Sequence, residues 1–435
     1  MIPMKWALCA IALLSVTARA QGIDLSRYPD AAASDPKAMG WMVGSPPPPD
    51  KTIRWRDGDH VLFPKLRWAV THIRELQPTV NIARGTGSPA TLSRAERRLD
   101  DVRYTDMNGV SRTWSEALAK TWSDGVIVLH RGRVVSEQYF GDLAPQRPHI
   151  LFSVTKSFVG TLAAMLVNEK RLDETALVVR YVPELAGTAF ADATVRQVMD
   201  MTTAFKYSEK YADPNAEIWD YMRSGGFLPA PPGTKVSDGY AGFLRTLRKE
   251  GEHDVGFTYR TPNTDVLSWV IQRVSGQSLQ QMIEERLWRP LGAEQDAYMM
   301  MDHNGFAFGG GGLNMTLRDM ARVGEMMRQG GRFNGRQIVP EAVVADIRRG
   351  ADKAKFAKAG YATLPNWSYR NMWWVSDKGY YMARGVHGQA IFIDPVREVV
   401  IARFGSHPVS TNVAQDPIIL PAYEAIAAHL AAGGS

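Results

Sequence analysis

A serine and a lysine stand three residues apart in Ser153-Val154-Thr155-Lys156, at the start of a segment whose apolar pattern predicts a helix. Residues i and i+3 of a helix share one face, so the lysine amine can reach the serine oxygen without help from a distant part of the chain. A serine hydroxyl becomes an effective nucleophile when a neighbouring base takes its proton. The pair therefore predicts the core of a serine hydrolase.

The spacing alone is weak evidence, because the chain holds two further matches, Ser34-Asp35-Pro36-Lys37 and Thr203-Ala204-Phe205-Lys206. Pro36 disfavours a helical conformation at Asp35, and Thr203 precedes a loop-like run. Other catalytic patterns are missing from the sequence: it contains no G-x-S-x-G elbow, no H-E-x-x-H, and no Lys-Ser/Thr after the glycines at 309–312. We expect neither a metal site nor a cofactor.

The elements around the pair follow from hydrophobic periodicity. Two β-rich runs within 125–140 flank a turn at Arg131-Gly132 and predict a hairpin. Helical patterns dominate from about 160 to 290, including a helix over 266–275 that ends at Gly276. Thr316 reads as the N-cap of the next helix. Strands are predicted at 389–395 and 398–404, and a closing helix at 420–431. This order predicts an α+β fold with an antiparallel sheet, flanking helices and a mostly helical lobe.

The first twenty residues have the pattern of a secretory signal peptide, with Lys5, an apolar core and Ala18-Arg19-Ala20 before a predicted cut ahead of Gln21. The apolar stretch is shorter than the roughly 20 residues of a membrane span, and no other segment resembles one. We expect a secreted or periplasmic protein. The single cysteine, Cys9, lies in this leader, so the mature chain can form no disulfide.

The remainder is predicted to comprise an arm and leading segment (21–100) and a hydrolase domain (101–435). Sheet residues are expected at about 101–160 and 295–435, and the helical lobe at about 160–295. The Pro-rich start, to about residue 60, predicts an extended arm outside the core. Removal of the leader leaves 49 basic and 45 acidic residues, a formal charge of +4. This mild excess does not indicate nucleic-acid binding. The sequence leaves the oligomeric state open.

Three segments carry a resemblance to a known family: S-V-T-K-S-F-V-G-T-L, R-L-D-E-T-A-L-V-V-R-Y-V-P-E-L and A-T-V-R-Q-V-M-D-M-T-T. They resemble the β-lactamase and penicillin-binding serine hydrolase superfamily over about residues 120–430. Within it, the chain is most similar to 6-aminohexanoate-dimer hydrolases and related esterases. The resemblance implies a β-lactamase/transpeptidase-like fold, with Ser153 as nucleophile and Lys156 as the group that deprotonates it.

The same resemblance implies a catalytic tyrosine that carries a proton between the nucleophile and the leaving group. Its usual motif is Y-x-N before a helix, and F-T-Y-R-T-P-N-T-D matches with Tyr259 as the tyrosine. Thr261 occupies the asparagine position and Asn263 follows two residues later. The resemblance leaves the roles of these two residues open.

A third family motif, often K-T-G or H-T-G on a strand beside the nucleophile, matches residues 385–389. Aligned on Gly388, Val386 replaces the cation that holds the carboxylate of a β-lactam, which counts against β-lactam turnover. The resemblance implies an oxyanion hole made by the backbone N–H groups of Ser153 and Gln389. His387 and Gly388 are expected in the pocket wall.

The likeness to amide hydrolases adds Tyr211 as a contact to the scissile amide, and Trp373 or Trp374 as a pocket wall. Only one of these tryptophans can face the pocket, because side chains alternate along a strand. The relatives carry a pocket carboxylate about ten residues beyond Tyr211, where this chain has Asp220 and Met222 nearby and matches poorly. The sequence therefore does not predict that this pocket binds a cationic amine end of a substrate.

Together these patterns predict an exported serine hydrolase of small amides or esters, similar to 6-aminohexanoate-oligomer hydrolases. A short-chain carboxylesterase or a weak β-lactamase of the same superfamily is the nearest alternative. A non-catalytic ligand-binding relative is the alternative from another class. That class would be marked by loss of the serine, lysine or tyrosine, and all three are present.

Overall fold

The computed structural model describes residues 24–433, so the predicted signal peptide lies outside the described residues. The strands of this range are β1 (Thr79–Ile82), β2 (Arg103–Thr105), β3 (Ser111–Thr113), β4 (Ser123–His130), β5 (Arg133–Tyr139), β6 (His149–Ile150), β7 (Ala297–Met300), β8 (Leu313–Met315), β9 (Arg332–Phe333), β10 (Arg336–Gln337), β11 (Ser368–Arg370), β12 (Trp373–Val375), β13 (Tyr381–Gly385), β14 (Gln389–Asp394) and β15 (Val399–Gly405).

The α-helices of the same range are α1 (Pro36–Met39), α2 (Leu66–Ala69), α3 (Ile73–Leu76), α4 (Trp114–Lys120), α5 (Val154–Asn168), α6 (Val195–Met199), α7 (Glu217–Ser224), α8 (Gly239–Leu244), α9 (Pro262–Ser275), α10 (Leu279–Ile283), α11 (Arg289–Leu291), α12 (Leu317–Arg328), α13 (Glu341–Arg349), α14 (Lys353–Ala357) and α15 (Asp416–Ala432). No helix among residues 24–433 combines the length and apolar character needed to cross a bilayer.

The main sheet is antiparallel and has the strand order β11-β12-β13-β14-β15-β4-β5. Its β4-β5 hairpin confirms the prediction from residues 125–140, and both residues of the turn, Arg131 and Gly132, have positive φ. A smaller sheet has the order β1-β7-β8-β6, with β1 of the leading segment at one edge and β6, which precedes α5, at the other. The predicted strands at 389–395 and 398–404 are confirmed as β14 and β15.

Helices cover both faces of the main sheet. The adjacent residues Ile391 and Phe392 point to opposite faces, as strand alternation requires. Ile391 packs against α12, since a Cβ added to Gly324 of that helix would lie 2.9 Å from the Ile391 side chain. The Phe392 ring packs instead on Tyr423 of α15, with the ring centroids 5.5 Å apart. Between β6 and β7 the described chain holds helices and loops only. The α+β fold with a mostly helical lobe is confirmed.

Helix α5 is buried along most of its length because it packs against both the sheet and the helical lobe. Every residue from Val154 to Leu166 is buried. Gly160 allows the closest approach, since a Cβ there would lie 2.1 Å from the backbone oxygen of Asn371. The neighbouring backbone therefore fixes where α5 begins, and with it the position of the residues at its first turn.

The prediction that the arm lies outside the core was wrong, because part of the arm is buried. Trp41 and Ile53 are buried against Trp68 in a small second core. The arm is also tied to the main domain by Arg67, which donates to Ala31 O and Ser34 Oγ and pairs with the buried Asp124. The high proline content of the arm made it difficult to recognise Trp41 and Ile53 as buried residues from the sequence.

Candidate active site

Ser153 is the residue that precedes the first turn of α5, and its side chain faces the interior of a divided cavity. Phe152 before it has φ 44°, a left-handed conformation that is uncommon for a bulky residue. This sharp change of direction brings the chain from β6 into α5 and leaves Ser153 8% exposed. Sparsely populated backbone conformations of this kind concentrate at functional sites.

Lys156 lies one helical turn after Ser153 and meets it as the spacing predicts. The Nζ atom is 2.8 Å from Ser153 Oγ and 2.5 Å from the carbonyl oxygen of Gly310. The side chain is 1% exposed. Burial lowers the pKa of Lys156 from its ordinary value to about 8, against the opposing pull of Glu209 and Asp265. About one-tenth of Lys156 is thus neutral, and able to accept a proton, at pH 7.

The glycines at 309–312 bring this backbone close enough to contact Lys156. A Cβ on Gly309 would be 2.2 Å from Ser268 Oγ, and one on Gly310 would be 2.5 Å from Thr261 Cγ2. Asp265 of α9 accepts a hydrogen bond from the Gly310 N–H at 3.1 Å and one from the hydroxyl of Tyr221 at 2.6 Å. Burial raises the pKa of Asp265. The sequence alone predicted no role for this glycine run or for Asp265.

Tyr259 completes the group of three predicted catalytic side chains. Its ring centroid lies 5.3 Å from Lys156 Nζ. Burial and the charge of Glu209 raise the pKa of Tyr259 well above its ordinary value, while a hydrogen bond with Ser153 opposes that rise. The phenol is therefore protonated across the neutral pH range. It can donate a proton while Lys156 accepts one, which is the division of labour that acid–base catalysis needs.

The two candidates for the asparagine of the tyrosine motif have different positions. The backbone N–H and Oγ1 of Thr261 donate to Glu209 at 2.6 and 2.7 Å. Asn263 is fully buried and bonds to Thr203 and to the carbonyl of Arg260, away from Ser153. Thr261 therefore positions Glu209, which the sequence analysis missed because its loop has no recognisable pattern.

Two chambers meet at Ser153. The larger, here called the polar chamber, has a volume of about 740 Å³ and is lined by Tyr259, Trp374 and five charged side chains, namely Arg27, Glu209, Lys210, Arg384 and Asp416. The smaller, here called the apolar chamber, has a volume of about 420 Å³ and is lined by Lys156 and mostly apolar side chains. Ser153, Tyr211 and Val386 line both.

Of the residues predicted to contact the substrate, Tyr211 and Trp374 line a chamber, whereas Trp373 faces the protein core. Tyr211 lies in both walls and its hydroxyl donates to Glu209 at 2.9 Å. Trp374 stacks on the Tyr259 ring at 5.4 Å and faces the polar chamber. Trp373 points the other way, with its indole N–H donating to Thr161 of α5 at 3.0 Å. The alternation along β12 thus selects Trp374.

His387 lines the apolar chamber as expected, without forming a catalytic pair with Ser153. Its Nδ1 is 2.7 Å from the carbonyl oxygen of His407. Burial lowers the pKa of His387 to about 4, so the ring is neutral at neutral pH. It contributes a neutral wall.

Residues 385–389 form a hairpin turn between β13 and β14, and not the continuous strand that the sequence analysis assumed. Gly388 and Gln389 line neither chamber. A Cβ on Gly388 would lie 2.8 Å from Arg403 Nη1, and Gln389 bonds to the backbone of Gly405. Gly385 is the glycine beside the nucleophile, because a Cβ there would be 3.1 Å from the Ser153 nitrogen. Val386 follows it in the wall.

Residues 110–420 match the family model described as Beta-lactamase. The chain belongs to the beta-lactamase family. It is a serine hydrolase of amidase or esterase type, and the resemblance seen in its motifs is confirmed. A 6-aminohexanoate-dimer hydrolase of Paenarthrobacter ureafaciens is 34% identical over 398 residues, which cover 90% of this chain and 94% of that protein.

Solved structures agree with this assignment. A Bacillus anthracis protein assigned as a 6-aminohexanoate-dimer hydrolase has a TM-score of 0.80 at 28% identity, with coverage of 89% of this chain and 99% of that one. A family VIII carboxylesterase has a TM-score of 0.53 at 16% identity, with coverage of 72% and 96%. The second likeness shows the shared fold alone.

Proposed function

We propose that this protein is an exported hydrolase that cleaves a small amide or ester through a Ser153 acyl-enzyme, with Lys156 and Tyr259 as its acid–base groups. The observation that carries the proposal is the 2.8 Å contact between Ser153 Oγ and the buried Lys156 Nζ, at the junction of two chambers. The 34% identical relative is named for hydrolysis of 6-aminohexanoate dimers, an amide reaction of this class.

In the first half of the proposed reaction, neutral Lys156 takes the proton of Ser153 while Oγ forms a bond to the substrate carbonyl carbon. The tetrahedral intermediate collapses as the C–N or C–O bond breaks, and Tyr259 gives its proton to the leaving nitrogen or oxygen. The ammonium of Lys156 returns a proton to Tyr259. Burial favours the uncharged forms of both side chains, which supports this assignment.

In the second half, water loses a proton to the same groups and attacks the acyl carbon, and Ser153 regains its proton as the acid product leaves. We assign the oxyanion hole to the backbone N–H groups of Ser153 and Val386. The contact between Gly385 and the Ser153 nitrogen supports this choice over Gln389, which lies behind the turn. Loss of one such donor lowers kcat by about 10²–10³-fold in comparable sites.

Export is proposed from the leader sequence. The pattern of residues 1–20 supports cleavage before Gln21 and a secreted or periplasmic location. Expression of the full chain in a bacterial host followed by mass spectrometry of the recovered protein tests this. We expect the N-terminus at Gln21 in the exported fraction, and recovery of the uncleaved chain from the cytoplasm would contradict it.

Two reagents test the catalytic proposal. A fluorophosphonate should label the wild-type protein at Ser153, and p-nitrophenyl acetate should be hydrolysed. Both signals should disappear in Ser153→Ala. A protein that neither labels nor turns over the ester would instead be a binding relative of the fold. A β-lactam such as nitrocefin should be a poor substrate, because the residue two positions before Gly385 is Ala383 and the adjacent Arg384 is already paired with Asp416.

A further inference from the structure

The apolar chamber is lined mostly by side chains that offer a ligand little besides hydrophobic contact. Helix α7 and the loop after it contribute Trp219, Met222 and Phe227, and Leu62, Leu66 and Phe308 form further apolar walls. Taking about 30 Å³ for each non-hydrogen atom, a volume of about 420 Å³ accommodates on the order of ten such atoms. This is the size of a medium-length alkyl chain or a substituted ring.

The charged side chains in the described wall of this chamber are both basic. They are Lys156 and Arg223, and no carboxylate among residues 24–433 lines the chamber. Asp220 pairs with Arg223 at 3.0 Å, has a side chain 61% exposed and lies outside the wall, whereas Met222 is 9% exposed and forms part of it. A cationic group placed here would lose its hydration without gaining a counter-ion.

The position of the proton donor decides which half of a substrate occupies the chamber. Tyr259 lines the polar chamber only, and Lys156 lines the apolar chamber only. A leaving group protonated by Tyr259 therefore departs through the polar chamber. The acyl group, which stays bonded to Ser153, is left in the apolar chamber.

We propose that the substrates are amides or esters whose acyl half is an uncharged apolar chain or ring, and that acyl groups ending in an ammonium are rejected. This inference rests on the proposed function and names its substrate class. It distinguishes this protein from enzymes that bind an amine-terminated acyl group, because Met222 lines the chamber and none of the described wall residues is acidic.

A series of p-nitrophenyl esters with acetyl, butanoyl, hexanoyl and octanoyl groups tests the apolar half of the proposal, since the leaving group is constant. Burial of each added methylene should raise kcat/KM about fourfold until the chamber is full. Hexanoate, with four more methylenes, should therefore exceed acetate by roughly 250-fold. A flat or falling series, with acetate hydrolysed in a Ser153-dependent way, overturns this inference and leaves the proposed function intact.

A pair of p-nitroanilides tests the charge rule. Hexanoyl-p-nitroanilide should be cleaved at least about 100-fold more efficiently than 6-aminohexanoyl-p-nitroanilide, because the ammonium has no partner in the chamber. Equal or inverted rates overturn the inference. Absence of any Ser153-dependent turnover or labelling overturns the proposed function and this inference with it.

Matched variants assign the acyl group to one chamber. Leu62 of the apolar chamber and Val413 of the polar chamber have exposures of 60% and 43%, so an aspartate at either position is tolerable for folding. Leu62→Asp should narrow the gap between the two anilides about threefold by pairing with the ammonium. Val413→Asp should leave the ratio unchanged. The opposite pattern would place the acyl group in the polar chamber and overturn the inference.

Discussion

At the scale of single residues, Lys156 differs from the other lysines of the same spacing by its burial. Lys206 completes a similar T-x-x-K match but is exposed, and its partner position, Thr203, bonds to Asn263. Lys156→Met should lower kcat for p-nitrophenyl acetate by about 10²–10⁴-fold, since it removes the general base. Lys206→Met serves as the control and should retain wild-type kcat. Similar losses in both variants would contradict the assignment.

The pH dependence of the reaction should report the same lysine. A base whose pKa is lowered to about 8 is about one-tenth unprotonated at pH 7 and about nine-tenths at pH 9. We therefore expect kcat/KM to rise about tenfold between pH 7 and pH 9, so that the pH–rate profile has a limb with its midpoint near pH 8. Glu209→Gln should move this limb to lower pH, because the charge of Glu209 favours the ammonium form. A limb near the ordinary lysine value would remove Lys156 from its role as base.

At the scale of secondary-structure elements, the position of Ser153 depends on how closely α5 approaches its neighbours. Gly160→Ala adds a good helix former, which in isolation favours the helix by about 1 kcal/mol. The added Cβ would nevertheless meet the Asn371 backbone oxygen at 2.1 Å, and backbone cannot yield as a side chain can. We expect a net destabilisation of about 2 kcal/mol or more, measured by urea unfolding.

The control for this variant is Gly187→Ala. No atom lies within 4 Å of a Cβ at Gly187, so its unfolding free energy should change by less than about 0.5 kcal/mol. Equal stability of the two variants would show that the contact between α5 and Asn371 yields readily. Activity lost in Gly160→Ala under conditions where it remains folded would show that α5 sets the geometry of Ser153.

Local patterns were enough to predict most of these elements. The cap at Thr316, which accepts from the Asp319 N–H, and the left-handed stop at Gly276 are confirmed because each depends on residues within one turn. The turn at 385–389 was missed, because its form depends on His387 at φ 63° and on pairing between Gly385 and Gln389. Glu209, Asp265 and the two chambers were also missed, since tertiary packing alone creates them.

At the scale of the whole molecule, several histidines are held neutral by burial. The pKa of His387 and of His407 is lowered to about 4, and burial also lowers the pKa of His60, His72 and His130. Between the folded value and the unfolded value of about 6.5, the unfolded chain binds more protons than the native protein. Stability is therefore present in full above pH 6.5 and is lost as the pH falls towards 4.

The midpoint of thermal unfolding should accordingly drop between pH 7.5 and pH 4.5, the range in which the unfolded histidines gain protons that the folded ones do not. His407 is 1% exposed and alone accounts for about 3 kcal/mol of this loss at most. His407→Gln should be less stable than wild type at pH 7.5, yet lose less stability on acidification, which a purely structural role would not produce. Parallel curves for the two proteins would show that His407 does not couple folding to pH.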